Sequence, residues 1–135
     1  MKRILLSGFA AGAILLGLSY FILFFTIRFM PGMVEEYYNP VFWPGNERAL
    51  LFFLHPFVIS FALAWFWNRF KNHFPGTRVA RGARFAVVYV LIATLPSMWI
   101  TFSAIAVSLS MVLAWAAYGF LQVLVAGWAF AFLNP

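Results

Sequence analysis

Residues 4–27 read "ILLSGFAAGAILLGLSYFILFFTI", and no charged side chain interrupts them. A helix rises 1.5 Å per residue, so about 20 apolar residues cross the ~30 Å hydrocarbon layer of a bilayer. This run is long enough to do so. It follows Met1-Lys2-Arg3, in the manner of a signal peptide. Its apolar length, however, exceeds the ~7–15 residues of a signal h-region, so an uncleaved membrane anchor is expected.

The rest of the chain has the same character. Of its 135 residues, 65% are hydrophobic and 9% charged, whereas a soluble domain carries roughly 25% charged residues. Three further runs are long enough to span, at about 49–67, 82–101 and 109–133. The composition therefore reads as an all-α integral membrane bundle of four transmembrane helices, forming one domain over 1–135. The segment "TFSAIAVSLS" (101–110) has no charge, glycine or proline. A tight hairpin is placed there because 82–133 is too long for one crossing and suits two.

The basic residues set the expected orientation. Lys2 and Arg3 precede the first helix, and Arg69, Lys71, Arg78, Arg81 and Arg84 cluster around the second connection, 68–84. The opposite side has only Arg28 and Arg48, with Glu35, Glu36 and Glu47. Both termini and the basic loop are thus expected in the cytoplasm, with a lid-like outward loop at 29–48. In the basic loop, Pro75-Gly76 marks a turn and Thr77 is placed to cap a helix. Arg78, Arg81 and Arg84 then recur every third residue. That stripe serves topology, and it is a candidate contact for anionic lipid headgroups. The formal charge of +6 is explained at membrane edges, and no nucleic-acid partner is implied.

Several chemistries lack their residues. There is no cysteine and no aspartate, so thiolate chemistry is excluded and no serine has an acid-supported base. All three glutamates lie between the first two apolar runs, which leaves no carboxylate relay at mid-membrane. Met30, Met33 and Met98 with His55 form a soft set of the kind Cu(I) accepts, but methionine in an oily bundle is usually filler. A haem held by two histidines fails because His55 and His73 lie at opposite ends. No cofactor, metal or catalytic residue is assigned.

Helix association inside lipid needs close packing and interhelical hydrogen bonds. Gly8 and Gly12 in "GFAAG", and Ser110, Ala114, Ala117, Gly119 and Gly127 in the last helix, offer small faces. Ser19, Tyr20, Ser60, Thr94 and Gln122 fall near mid-membrane. Gln122 is expected to point inward and bond to Thr94, Ser60 or Tyr20.

The stretch "FFLHPFVISF" (52–61) places His55 and Pro56 about six residues into the second helix. Proline removes one backbone donor and crowds the carbonyl four residues back. Pro96 does the same in the third helix, and Pro31 ends the first. Loosening of three helices at one end predicts an outward polar cavity with His55 at its wall and Glu35, Glu36, Tyr37, Tyr38, Thr94, Ser97 and Met98 as neighbours. An ionisable group within the membrane marks a functional position by default. The bland reading is a neutral His55 bonded to Glu35, Glu36 or a freed carbonyl. "RFMPGM" (28–33) and "ATLPSM" (93–98) are also alike, as a duplicated helix pair would leave them.

The segments "YYNPVFWPGNERALLFFLHPFVISFALAWFWNRFK" (37–71) and "GARFAVVYVLIATLPSMWITFSAIAVSLSMVLAW" (82–115) resemble small bacterial four-helix membrane proteins catalogued as domains of unknown function. The resemblance implies a bacterial inner (plasma) membrane location and carries no activity. The functional expectation is a non-enzymatic accessory, assembly or structural membrane component, held with a partner subunit or further copies of itself. The alternative is a small transporter or ligand-binding protein using the cavity at His55.

Overall fold

The computed structural model describes residues 2–42 and 48–135. Expectations that concern Trp43, Pro44 and Glu47 lie outside the described residues. The chain folds into helices α1 (Lys2–Phe29), α2 (Pro31–Tyr37), α3 (Ala49–Phe70), α4 (Arg78–Tyr89), α5 (Leu95–Ala104) and α6 (Leu109–Leu133). One π-helical turn, Val90–Thr94, fuses α4 and α5 into a single rod. Four rods are long and apolar enough to cross a membrane: α1, α3, the fused α4–α5, and α6. They run up, down, up and down, so that one end of the bundle collects the basic residues (the basic end) and the other carries α2 (the far end).

The local signals act as their chemistry requires. Gly76 holds a φ of 109° at the turn before α4, which a side chain would strain. Thr77 caps α4, its hydroxyl accepting from the Ala80 N–H at 3.3 Å. The hairpin between the last two rods is Ile105–Ser108, and Ser108 caps α6 by accepting from the Met111 N–H at 3.2 Å. The third span is longer than expected at both ends. Its proline does not end it: Pro96 cannot donate to Ile92, and the backbone answers with the π-turn, in which the Leu95 N–H reaches back to the Val90 carbonyl. Such single-turn insertions absorb a missing helix bond without breaking the helix. Pro56 likewise sits inside a continuous α3. Pro31, by contrast, starts a separate helix after Met30 leaves helical geometry.

Within this topology α6 is the central rod, packing on α1, α3, α4 and α5, while α1 also packs on α3. Glycine decides two of these contacts. A Cβ at Gly82 would meet the Gly127 backbone at 2.9 Å, and one at Gly127 would meet the Gly82 carbonyl oxygen at 2.8 Å. Here α4 and α6 touch main chain to main chain. At Gly8 and Gly12 a Cβ would drive into the rings of Phe61 and Phe57, at 2.6 and 2.5 Å, so the α3 aromatics fill the notches on α1. Gly17, which stands as far before "RFMPGM" as Gly82 does before "ATLPSM", faces open space. The two halves of the apparent repeat therefore do different work.

The buried apolar core lies in the half next to the basic end. It includes Ala11 and Leu15, Leu63, Ala64 and Trp67, Phe85 and Ala86, and Val123 to Ala131 on one face of α6. Trp67 is at its middle, edge-on to Phe85 at 5.4 Å and stacked on Phe74 at 6.0 Å. Its indole Nε1–H donates to the Asn134 carbonyl at 2.9 Å, which satisfies the one polar atom the ring carries into the core. In the far half, α1 buries nothing beyond Leu15.

Gly82→Leu and Gly127→Leu should each lower the stability of the bundle by at least about 1–3 kcal/mol, since both faces of that contact are backbone and cannot yield. Gly17→Ala should stay within about 0.5 kcal/mol. Refolding and unfolding between mild detergent and sodium dodecyl sulfate, followed by circular dichroism, measures both.

Candidate functional site

The cleft that contains His55 begins where the glycine notches end. Beyond Gly12, α1 presents Leu16, Ser19, Tyr20 and Leu23 at the lining of this cleft. It is a cavity of about 410 Å³ between α1, α3 and α6, walled also by Leu51, Phe52, Phe53, Pro56 and Tyr118. Its volume is in the ~300–1,000 Å³ range of small-molecule clefts. His55, Tyr20, Leu51 and Phe52 at its rim are exposed, so the cleft opens sideways from the bundle.

Three polar side chains form a relay on its inner wall. The Gln122 Nε2–H donates to the Tyr118 hydroxyl at 2.8 Å. That hydroxyl lies 2.6 Å from Ser19 Oγ, and Ser19 Oγ–H donates to its own helix at the Leu15 carbonyl, 2.8 Å away. Each hydroxyl has one proton, so the direction is fixed: Gln122 to Tyr118 to Ser19 to Leu15. The relay ties α6 to α1 just beyond the core. Gln122 is buried and points inward as expected, but its partner is Tyr118 and not Thr94, Ser60 or Tyr20. Thr94 is buried across α6, beside Gly119. Ser60 is buried against Gly12 and donates within its own helix to the Phe57 carbonyl. Tyr20 stacks on Phe53 at 5.9 Å. The sequence signal that was missed is the i, i+4 spacing of Tyr118 and Gln122, which puts both on one helix face.

The single cavity expected around His55 is divided. Among the described residues, none from the 29–48 connection lines the His55 cleft. The described part of that connection up to residue 42 folds into α2 and a 3₁₀ turn, Pro40–Phe42, and lies on the far end of α6. The Glu36 carboxylate accepts from the Ser108 hydroxyl at 2.6 Å, where negative charge at a helix start is favourable. The Trp115 indole donates to the Tyr37 hydroxyl, and Phe42 packs edge-on to Trp115 at 5.8 Å. Glu35, Glu36 and Tyr38 border a separate shallow depression with Ala106 and Val107. Ser97 and Met98 are on α5, Ser97 exposed, its carbonyl accepting from Thr101. Neither they nor Thr94 reach the His55 cleft. Met30 and Met33 belong to the same far-end connection, so the soft methionine set is not assembled around His55. Among the described residues no three His, Asp or Glu side chains gather as metal ligands.

At the basic end the arginines are engaged with the protein itself. Arg81 Nη2 donates to the Lys71 carbonyl at 3.0 Å, with its guanidinium 5.4 Å from the Trp67 ring centre. Arg84 donates to the Pro75 carbonyl at 2.7 Å, and Arg78 lies 5.6 Å over the Phe132 ring. Lys71 Nζ donates to Asn134 Oδ1 at 2.9 Å and to the Pro135 carbonyl at 2.6 Å. The stripe thus fastens the α3–α4 turn to the bundle, with Arg78 and Arg84 exposed and Arg81 half-buried.

No family model, curated protein or solved structure matches this chain. Its function is therefore argued from the geometry above.

Tyr118→Phe should break both bonds of the relay and destabilise the bundle by about 1–2 kcal/mol, the scale of interhelical hydrogen bonds in membranes. Ser19→Ala should add little once Tyr118 is phenylalanine. A double-mutant cycle on the detergent unfolding equilibrium reads this coupling.

Proposed function

We propose that this chain is a non-enzymatic component of a bacterial plasma membrane, an accessory, assembly or structural subunit that works by being a stable four-helix partner for other membrane proteins or for further copies of itself. The observation that supports this reading is how its interior polar groups are used. Gln122, Tyr118 and Ser19 bind helix to helix, and Trp67, Lys71 and Asn134 fasten the last residues to α3. These groups serve cohesion. The amino and carboxyl ends and the basic turn face the cytoplasm in this reading, following the excess of Lys and Arg at that end. There Arg78, Arg81 and Arg84 meet anionic lipid in this reading, at about 1 kcal/mol per basic residue.

A second reading is a ligand-binding membrane protein, and the His55 cleft favours it. A pocket of small-molecule size, largely apolar with a few polar groups, is the usual form of a binding site.

Extraction in a mild detergent followed by native mass spectrometry tests the first reading. It predicts a complex with stoichiometric partner subunits or a defined homo-oligomer. A bare monomer with a small molecule retained would instead select the second. Separately, a cysteine placed at Asn72, exposed in the basic turn, should resist an impermeant maleimide added to intact cells, and ready labelling there would reverse the proposed orientation.

A further inference from the structure

The His55 cleft holds two hydrogen-bonding side chains that the protein leaves without partners. His55 makes no hydrogen bond and no ring contact among the described residues. The Tyr20 hydroxyl makes none either, although its ring is held against Phe53. Six hydroxyls of the spans behave differently, whereas Tyr89, Thr94 and Ser97 also make no side-chain hydrogen bond among the described residues. Ser7, Ser19, Thr26, Ser60, Thr101 and Ser103 all donate to carbonyls of their own helices. Such self-satisfaction is the cheap solution in hydrocarbon, where an unpaired polar group costs several kcal/mol. An imidazole cannot return to its own backbone in this way, and a tyrosine hydroxyl is too far out on its ring.

Depth separates the candidate partners for these groups. His55 is six residues inside α3, and Tyr20 nine residues inside the far end of α1. At 1.5 Å per residue their Cα atoms are about 9 and 13 Å below the helix ends. With the helix ends at the edge of the hydrocarbon layer, phospholipid phosphates and bulk water are above that level. What is available at that depth is whatever dissolves in the membrane with a polar head of its own.

We propose that this cleft binds a neutral, membrane-dissolved amphiphile with ring carbonyl or hydroxyl groups on a hydrocarbon tail, the chemical class of isoprenoid quinones. This rests on the second reading above. The imidazole offers an N–H donor, and so does the phenol through its hydroxyl. A ring carbonyl accepts from either. Phe52, Phe53 and the Tyr20 ring are suited to cover a flat head, and Leu16, Leu23 and Leu51 a tail. The sideways opening lets such a molecule enter from the lipid. A charged headgroup is disfavoured because the described cleft has no permanent counter-charge.

The test uses the full chain in phosphatidylcholine nanodiscs and decylubiquinone as the probe, read as displacement of a tritiated quinone. Saturable binding is expected. His55→Leu and Tyr20→Phe should each weaken it by about five- to tenfold, the value of one hydrogen bond with a buried partner. Tyr20→Phe keeps the stack on Phe53 and removes only the hydroxyl, so it reports on the bond and not on folding. His55→Gln should recover part of the loss, since an amide also donates. Hexadecane or dioleoylglycerol competing as well as decylubiquinone would overturn the assignment in favour of a plain acyl-chain groove. Non-saturable uptake, or unchanged affinity in both variants, would overturn it outright. If saturable binding of dioleoylglycerol survives while the quinone fails, the ligand-binding reading stands and only its chemical class falls.

Discussion

Everything in this bundle depends on how closely α4 can approach α6. Lipid tails are as apolar as leucine, so burying leucine against leucine gains little inside a bilayer. What remains is contact distance and hydrogen bonding. At Gly82 and Gly127 the two backbones meet with no room for a single carbon between them. That approach brings Phe85 of α4 against Phe130 of the central rod, and Trp67 from α3 packs against both. The Gly8 and Gly12 notches do the same for α1 and α3, with Phe57 and Phe61 as the inserted groups.

The asymmetry of the molecule follows. Small residues and their aromatic counterparts are concentrated toward the basic end, and so is the buried core. Farther along, α1 presents Leu16, Tyr20 and Leu23 where it had presented glycine, and the helices separate into the cleft beside His55. The Gln122–Tyr118–Ser19 relay is at the boundary between the two regimes and fixes how far the separation extends. At the far end the short α2 takes over, clasping α6 through Glu36, Tyr37 and Phe42. The rods are thus joined at both ends and parted on one side in between.

Much of this was legible in the residues. The four spans follow from hydropathy and length, the last of them to the residue. The Thr77 cap, the Pro75-Gly76 turn and the Gly8/Gly12 face follow from local stereochemistry that operates the same way in any fold. The inward position of Gln122 follows because lipid offers it no partner. The partner itself was not legible, because hydrogen bonds between helices depend on rotation about each axis, and a uniformly apolar helix records its rotation only weakly. The same gap accounts for the site. Pro31, Pro56 and Pro96 share a level in the sequence, but the chain answers each differently: a new helix, an uninterrupted helix and a π-turn. Level alone therefore groups these residues at one cavity, where the structure separates His55 from Glu35, Glu36 and Tyr38.

The central claim is that close packing near the basic end, and not uniform adhesion along the rods, holds the four helices together. Distance distributions between paired spin labels on the full chain in nanodiscs test it most directly. One pair would be on exposed positions near the basic end, Leu5 on α1 and Trp65 on α3, and the other near the far end, Ile27 and Leu50. The account predicts a narrow single distance for the first pair and a distinctly broader distribution for the second. Equal widths, or a broader distribution near the basic end, would contradict it.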